Sequence, residues 1–182
     1  MDFEGEVFRA IALKHAKDPL SMKGARLMGG RFNPIGTPVL YTSLNRETVL
    51  AETNQLGLKP PPTVLFCYTV RIKRVLDLTV SDPVDVLAGA TLQALKDCPY
   101  RAHIDRGEVV LTHVFADAAR AAGYSALKIP SFAPRARLKP EEGGPMVNMV
   151  LFESALQPPN SVFCHDPEDW VGTYLGDKGY RG

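Results

Sequence analysis

The chain is poor in the residues that mark secreted, metal-built or membrane-spanning proteins. Of its 182 residues only three are cysteines, Cys67, Cys98 and Cys164. They form no C-x-x-C pair and leave an odd one over, so a disulfide framework is excluded and free thiols in a reducing compartment are expected. No run of about 18 apolar residues occurs, which removes a membrane-spanning helix. The opening M-D-F-E-G-E is acidic and has neither the basic nor the apolar segment of a secretion signal, so a cytoplasmic location is expected. The four histidines, His15, His103, His113 and His165, show no H-x-x-x-H spacing and have no thiolate at ligand spacing; no metal is expected. Neither a P-loop nor a G-x-G-x-x-G after a strand is present. An excess of one charge is missing too: the net charge of +1 gives no reason to expect nucleic acid or an anionic membrane as partner.

What is present is enough for a core. With 45% apolar and 23% charged residues the chain suits a single domain over 1–182. Val7–Ile11 reads as an opening strand whose Arg9 is either a snorkelling surface side chain or a second cation near a site. Residues 12–28 read as irregular, with Pro19 and Gly24 breaking any helix. The β-branched and aromatic run Val64–Ile72 is the best strand, entered through the stiff Pro60-Pro61-Pro62, and Val75–Thr79 reads as its short neighbour. Helices are expected between Pro83 and Asp97, with a break near Gly89, and over Leu111–Ala122 with a stop at Gly123; 100–108 reads as loop. Strands follow at Tyr124–Ile129, Met146–Phe152 and Ser161–Cys164, with a polar loop over 132–145 and a short tail beyond. Strands and helices do not alternate regularly, so the expected class is α+β, with mixed or antiparallel sheet and flanking helices.

One stretch gathers chemistry. Gly24–Glu52, G-A-R-L-M-G-G-R-F-N-P-I-G-T-P-V-L-Y-T-S-L-N-R-E-T-V-L-A-E, puts a glycine-rich loop with Arg31 before a strand ending near Tyr41, and that strand before a helix. Asn45 is placed to cap the helix, with Glu47 in its first turn. Val49, Leu50, Thr53 and Leu56 form its apolar stripe, and Gly57 closes it. Glu52 lies roughly 60° from Val49, at the margin of that stripe, where a carboxylate needs a partner or a ligand. Each residue has an ordinary reading: a tight turn with a solvated arginine, a tyrosine at the core edge, half of a salt bridge. Their occurrence in one continuous unit favours a small-molecule site. Lys14, Lys17, Lys23, Arg26 and Arg31 face only Asp18 between positions 14 and 31, which suits a phosphate-bearing ligand as well as a solvated basic face. Asn148, polar in an apolar strand, needs hydrogen-bond partners; Ser131 after Pro130 reads by default as a cap or turn residue. Cys164-His165-Asp166 cannot act as a relay, because neighbours in a strand point to opposite faces.

The Gly24–Glu52 run, with the later I-P-S-F and the N-M-V-L-F strand, resembles the RES domain family, named for an arginine, a glutamate and a serine that match Arg31, Glu52 and Ser131. Similarity runs from about Phe8 to Phe152 and is closest to members described as ParT-like or MbcT-like; Phe32 stands where many relatives have tryptophan, and the tail from Pro158 onward matches nothing. The resemblance implies an ADP-ribosyltransferase-like fold and the toxin half of a bacterial toxin–antitoxin pair. Such a toxin consumes NAD by cleaving its bond to nicotinamide, and an Xre-type antitoxin blocks its cleft. On that footing Glu52 would stabilise a cationic ribose, Arg31 would hold phosphate, Tyr41 would pack on nicotinamide or ribose, and Ser131 would orient the ribose or the carboxylate, with Asn148 near the substrate. The acceptor of ADP-ribose stays open between a protein side chain, phosphate (an NAD phosphorylase) and water (an NAD glycohydrolase). A non-catalytic nucleotide-binding module is the alternative of another class.

Overall fold

The computed structural model describes residues 1–53, 61–80, 86, 90–133, 145–166 and 168–175. The strands are β1 (Phe3–Ala12), β2 (Val39–Ser43), β3 (Thr63–Ile72), β4 (Val75–Asp77), β5 (Ala126–Pro130), β6 (Val147–Phe152) and β7 (Ser161–Cys164). The helices are α1 (Lys23–Met28), α2 (Arg46–Thr53), α3 (Leu92–Asp97), α4 (Tyr100–Asp105), α5 (Leu111–Ala121) and α6 (Trp170–Leu175), with short 3-10 turns at Leu13–His15 and Glu153–Leu156. The strands join one open sheet in the order β4-β5-β6-β2-β1-β3-β7, antiparallel throughout except for the parallel pair β4–β5. Helices flank it, and the class is α+β.

Side-chain alternation divides the core between the two faces. In β3, Phe66, Tyr68, Val70 and Ile72 turn inward, joining Val7, Leu40, Met149 and Leu151. On the opposite face, Val39, Leu127, Ile129, Val150 and Phe152 pack against Phe115, Ala116 and Ala119 of α5. Fully buried Tyr68 and Phe115 contribute about 1.5–3 kcal/mol each by leaving water. The half built from β2, β5 and β6 is therefore covered on both faces. The half built from β1, β3 and β7 leaves Glu4, Glu6 and Thr69 exposed.

The sheet opens in the middle. β1 runs its whole length against β3, but it meets β2 at one registered pair, Phe8 with Ser43. The strands diverge from that point.

Several local expectations are corrected. Gly24 does not break a helix: α1 spans Lys23–Met28, and the chain turns only at Gly29, whose φ of 67° suits glycine. Residues 100–105 form α4 rather than loop. Val75–Asp77 is a strand but not a neighbour of β3; it lies at the far end of the sheet beside β5. In α2 the buried residues are Thr48, Val49 and Ala51, and Leu50 is 64% exposed. Arg9 does not snorkel to solvent, since its Nη1 donates to the carbonyls of Pro19 and Ser21, both at 3.0 Å. Leu56, Gly57, Pro60, Pro83, Gly89 and residues 134–144 of the polar loop lie outside the described residues.

Candidate functional site

The loop that carries Arg31 is fastened along its backbone. Gly30 N–H donates to Asn33 O at 2.9 Å, and Phe32 N–H donates to the Tyr41 hydroxyl at 2.9 Å. Its carbonyls are taken by α5: Gly30 O lies 2.7 Å from His113 Nε2, Arg31 O accepts from the Thr112 hydroxyl, and Phe32 O accepts from Arg120 Nη2 at 3.1 Å. Asn33 is fully buried; its Nδ2 donates to Ala25 O and Thr37 O, both at 2.9 Å, and its Oδ1 accepts from the Tyr41 hydroxyl at 2.8 Å. Burial raises the Tyr41 phenol well above its ordinary pKa, against the opposing pull of the Phe32 N–H, so the hydroxyl stays protonated and keeps donating. The loop fits only without a side chain at Gly30, where a Cβ would stand 2.6 Å from the Tyr41 hydroxyl and 2.8 Å from Asn33 Oδ1.

Arg31 itself points across the cleft. Its Nη1 donates to the carbonyls of Leu95, Lys96 and Cys98 at 3.1–3.3 Å, closing the C-terminal end of α3, where carbonyls lack helical partners. The guanidinium stacks 4.7 Å from the Tyr100 ring and 5.2 Å from Phe132. Burial lowers its pKa, and Tyr100, Cys98 and Glu52 pull the other way. One terminal nitrogen is thus committed to the fold, and what Arg31 can offer a ligand comes from Nη2 and Nε.

Glu52 is held from the opposite side. The Asn45 cap predicted from sequence forms, with its Oδ1 accepting from Thr48 N–H at 2.8 Å, and it starts α2 in the register that carries Glu52 to the cleft. Glu52 Oε1 accepts from Ser131 Oγ at 2.5 Å and from Asn148 Nδ2 at 2.6 Å. The Asn148 amide is oriented in turn, because its Oδ1 accepts from Ser43 Oγ at 2.7 Å. The Ser131 hydroxyl also accepts from Ala133 N–H at 3.2 Å, so the turn expected of it is present alongside the carboxylate contact.

Between these sides lies a cleft of about 450 Å³ where the sheet opens, within the usual range for small-molecule sites. Arg31, Tyr41, Glu52 and Asn148 line it, and Ser131 stands behind Glu52, so all five residues singled out from sequence meet in one place. Glu52 is the one carboxylate among the described lining residues, which also include Arg9, Arg101 and the aromatic rings of Phe8, Phe32, Tyr100 and Phe132. Sequence reasoning missed Asn33, Ser43, Tyr100, Thr112, His113 and Arg120. Of these, Ser43 had a local signal, a hydroxyl at the end of a buried strand, and the Asn33 side chain bonds within eight residues of itself, inside the glycine-rich run; Tyr100, Thr112, His113 and Arg120 owe their place to long-range packing.

The RES domain family matches residues 6–171, past the Pro158 at which recognisable motifs end. No curated protein matches the chain.

Proposed function

The chain belongs to the RES domain family, known from toxin–antitoxin contexts, and from that premise we propose that it cleaves the nicotinamide–ribose bond of NAD and passes ADP-ribose to an acceptor. The observation that carries the reading is Glu52, the one carboxylate among the described lining residues, aimed by Ser131 and Asn148 and facing arginines and aromatic rings in a cleft of about 450 Å³. Breaking the bond sends its electron pair to the pyridinium nitrogen and leaves positive charge on the ribose. A fixed carboxylate stabilises that charge as it develops, at no cost of reorientation. Arg31 and Arg101 supply cationic hydrogen-bond donors for the pyrophosphate. The ring face of Tyr41 offers a surface for nicotinamide or ribose, its hydroxyl being committed to the loop. The acceptor oxygen then bonds to the ribose carbon and gives up its proton to solvent.

The family's toxin–antitoxin context supports reading the chain as the toxin of a bacterial pair, and on that reading an Xre-type antitoxin covers the cleft and the α+β sheet is of the ADP-ribosyltransferase-like kind. The test is nicotinamide release from NAD by the purified protein, with phosphate, without phosphate, and with cell lysate. Release with ADP-ribose as product identifies a glycohydrolase, ADP-ribose phosphate a phosphorylase, and label on protein a transferase. Saturable NAD binding without release under all three conditions would overturn the catalytic reading in favour of a binding module.

A further inference from the structure

A second group of chemically capable side chains lies outside the cleft, on the half of the sheet with an uncovered face. In the β1–β3 ladder Phe8 stands opposite Cys67 and Glu6 opposite Thr69. Across β3, Tyr68 pairs with Cys164, and the next backbone link runs from His165 N–H to Cys67 O at 3.0 Å, which sets His165 opposite Cys67. Alternation puts Glu6, Cys67, Thr69 and His165 on one face. The donor atoms of Glu6, Cys67 and His165 all lie within 4.8 Å of one another. None of the three lines the cleft.

The geometry points to a binding site for a divalent transition-metal cation of the zinc type, held by the Cys67 sulfur, a His165 ring nitrogen and a Glu6 carboxylate oxygen. Thiolate, imidazole and carboxylate are the ligand types zinc takes, and three protein ligands leave one tetrahedral position for water. The set discriminates by softness: a sulfur and a nitrogen donor disfavour magnesium and calcium, which prefer all-oxygen sites. Charge balances as well, since thiolate and carboxylate together neutralise the cation, the thiol proton being released on binding. Thr69 Oγ1, 2.5 Å from His165 Nε2, holds the ring in place. Spacing along the chain, on which the expectation of no metal rests, does not register ligands drawn from two strands and the residue that follows a third. A cation here joins β1 and β3 to the chain just after β7, the edge strand, and its effect is on stability rather than on the cleft.

The test is a titration of the reduced full-length protein with Co²⁺, read by absorbance. Saturation at one equivalent, with a sulfur-to-cobalt charge-transfer band and tetrahedral ligand-field bands, is expected, and Zn²⁺ should displace the cobalt. Cys67→Ser should abolish the charge-transfer band, while His165→Ala and Glu6→Gln should each weaken binding by about tenfold or more. Zn²⁺ should raise the melting temperature of the wild type and leave that of Cys67→Ser unchanged. Melting without metal checks that each variant folds. No stoichiometric cobalt binding by the wild type, or a charge-transfer band that persists in Cys67→Ser, would overturn the proposal.

Discussion

The two walls of the cleft are held in different ways. The Arg31 wall is fastened through backbone: the carbonyls of Gly30, Arg31 and Phe32 are taken by α5, and Asn33 and Tyr41 close the loop from beneath. The Glu52 wall is fastened through side chains, Ser131 Oγ and Asn148 Nδ2 both donating to Glu52 Oε1. Backbone groups buried without partners cost folding free energy, whereas a carboxylate at a cleft that loses an orienting donor can still reach water. Damage to the first wall should therefore appear as lost stability, and damage to the second as lost turnover in a folded protein.

The largest effect expected is on the first wall. Asn33→Ala leaves the Ala25 and Thr37 carbonyls and the Tyr41 hydroxyl without their buried partner, and should cost about 3 kcal/mol or more in urea unfolding. Gly30→Ala should be comparably damaging, because nothing around its Cβ can withdraw without moving Tyr41 or Asn33. Asn148→Ala comes next and should divide the readouts the other way: nicotinamide release lower by about 10²-fold as Glu52 loses its aim, with unfolding free energy within about 1.5 kcal/mol of wild type. If Asn148→Ala instead unfolds the protein, the contrast between the walls is broken.

Tyr41→Phe sharpens the contrast further. It keeps the ring at the cleft and removes only the hydroxyl that joins Phe32 N–H to Asn33. A loss of about 1–2 kcal/mol in stability with turnover per folded molecule retained is expected. The smallest effect lies outside both walls, at the ion pair of Lys128 Nζ with Asp77 Oδ2, 2.8 Å long, between β4 and β5. Burial pushes the Asp77 pKa up, but hydrogen bonds from Lys128 and Thr79 together outweigh it, so the folded value lies below the ordinary one. The stability this gives is fully present above the unfolded pKa near 4 and fades as pH falls through the folded value. The gap in unfolding free energy between wild type and Asp77→Asn, on the order of 1 kcal/mol at neutral pH, should close on acidification.

How much of this was legible in the sequence follows from the range of each interaction. Arg31, Tyr41 and Glu52 lie in one run of loop, strand and helix, and the Asn45 cap acts within three residues, so local pattern sufficed. The resemblance to RES domains brought in Ser131, whose distance along the chain hides its contact with Glu52. Thr112, His113 and Arg120 fasten the arginine loop from more than 80 residues away, and no local signal marks them. β4 shows the same limit from the other side: its apolar run announces a strand, but its partner is decided by what covers the sheet. Helix α1 formed despite Gly24 because a glycine weakens a short helix by only about 1 kcal/mol.

The most direct test of the central claim is Glu52→Gln, with nicotinamide release and urea unfolding measured on the same preparation. The side chain keeps its shape and loses its charge. A rate lower by about 10²- to 10³-fold, with unfolding free energy within about 1 kcal/mol of wild type, is the predicted result. Wild-type turnover by the folded variant would contradict it.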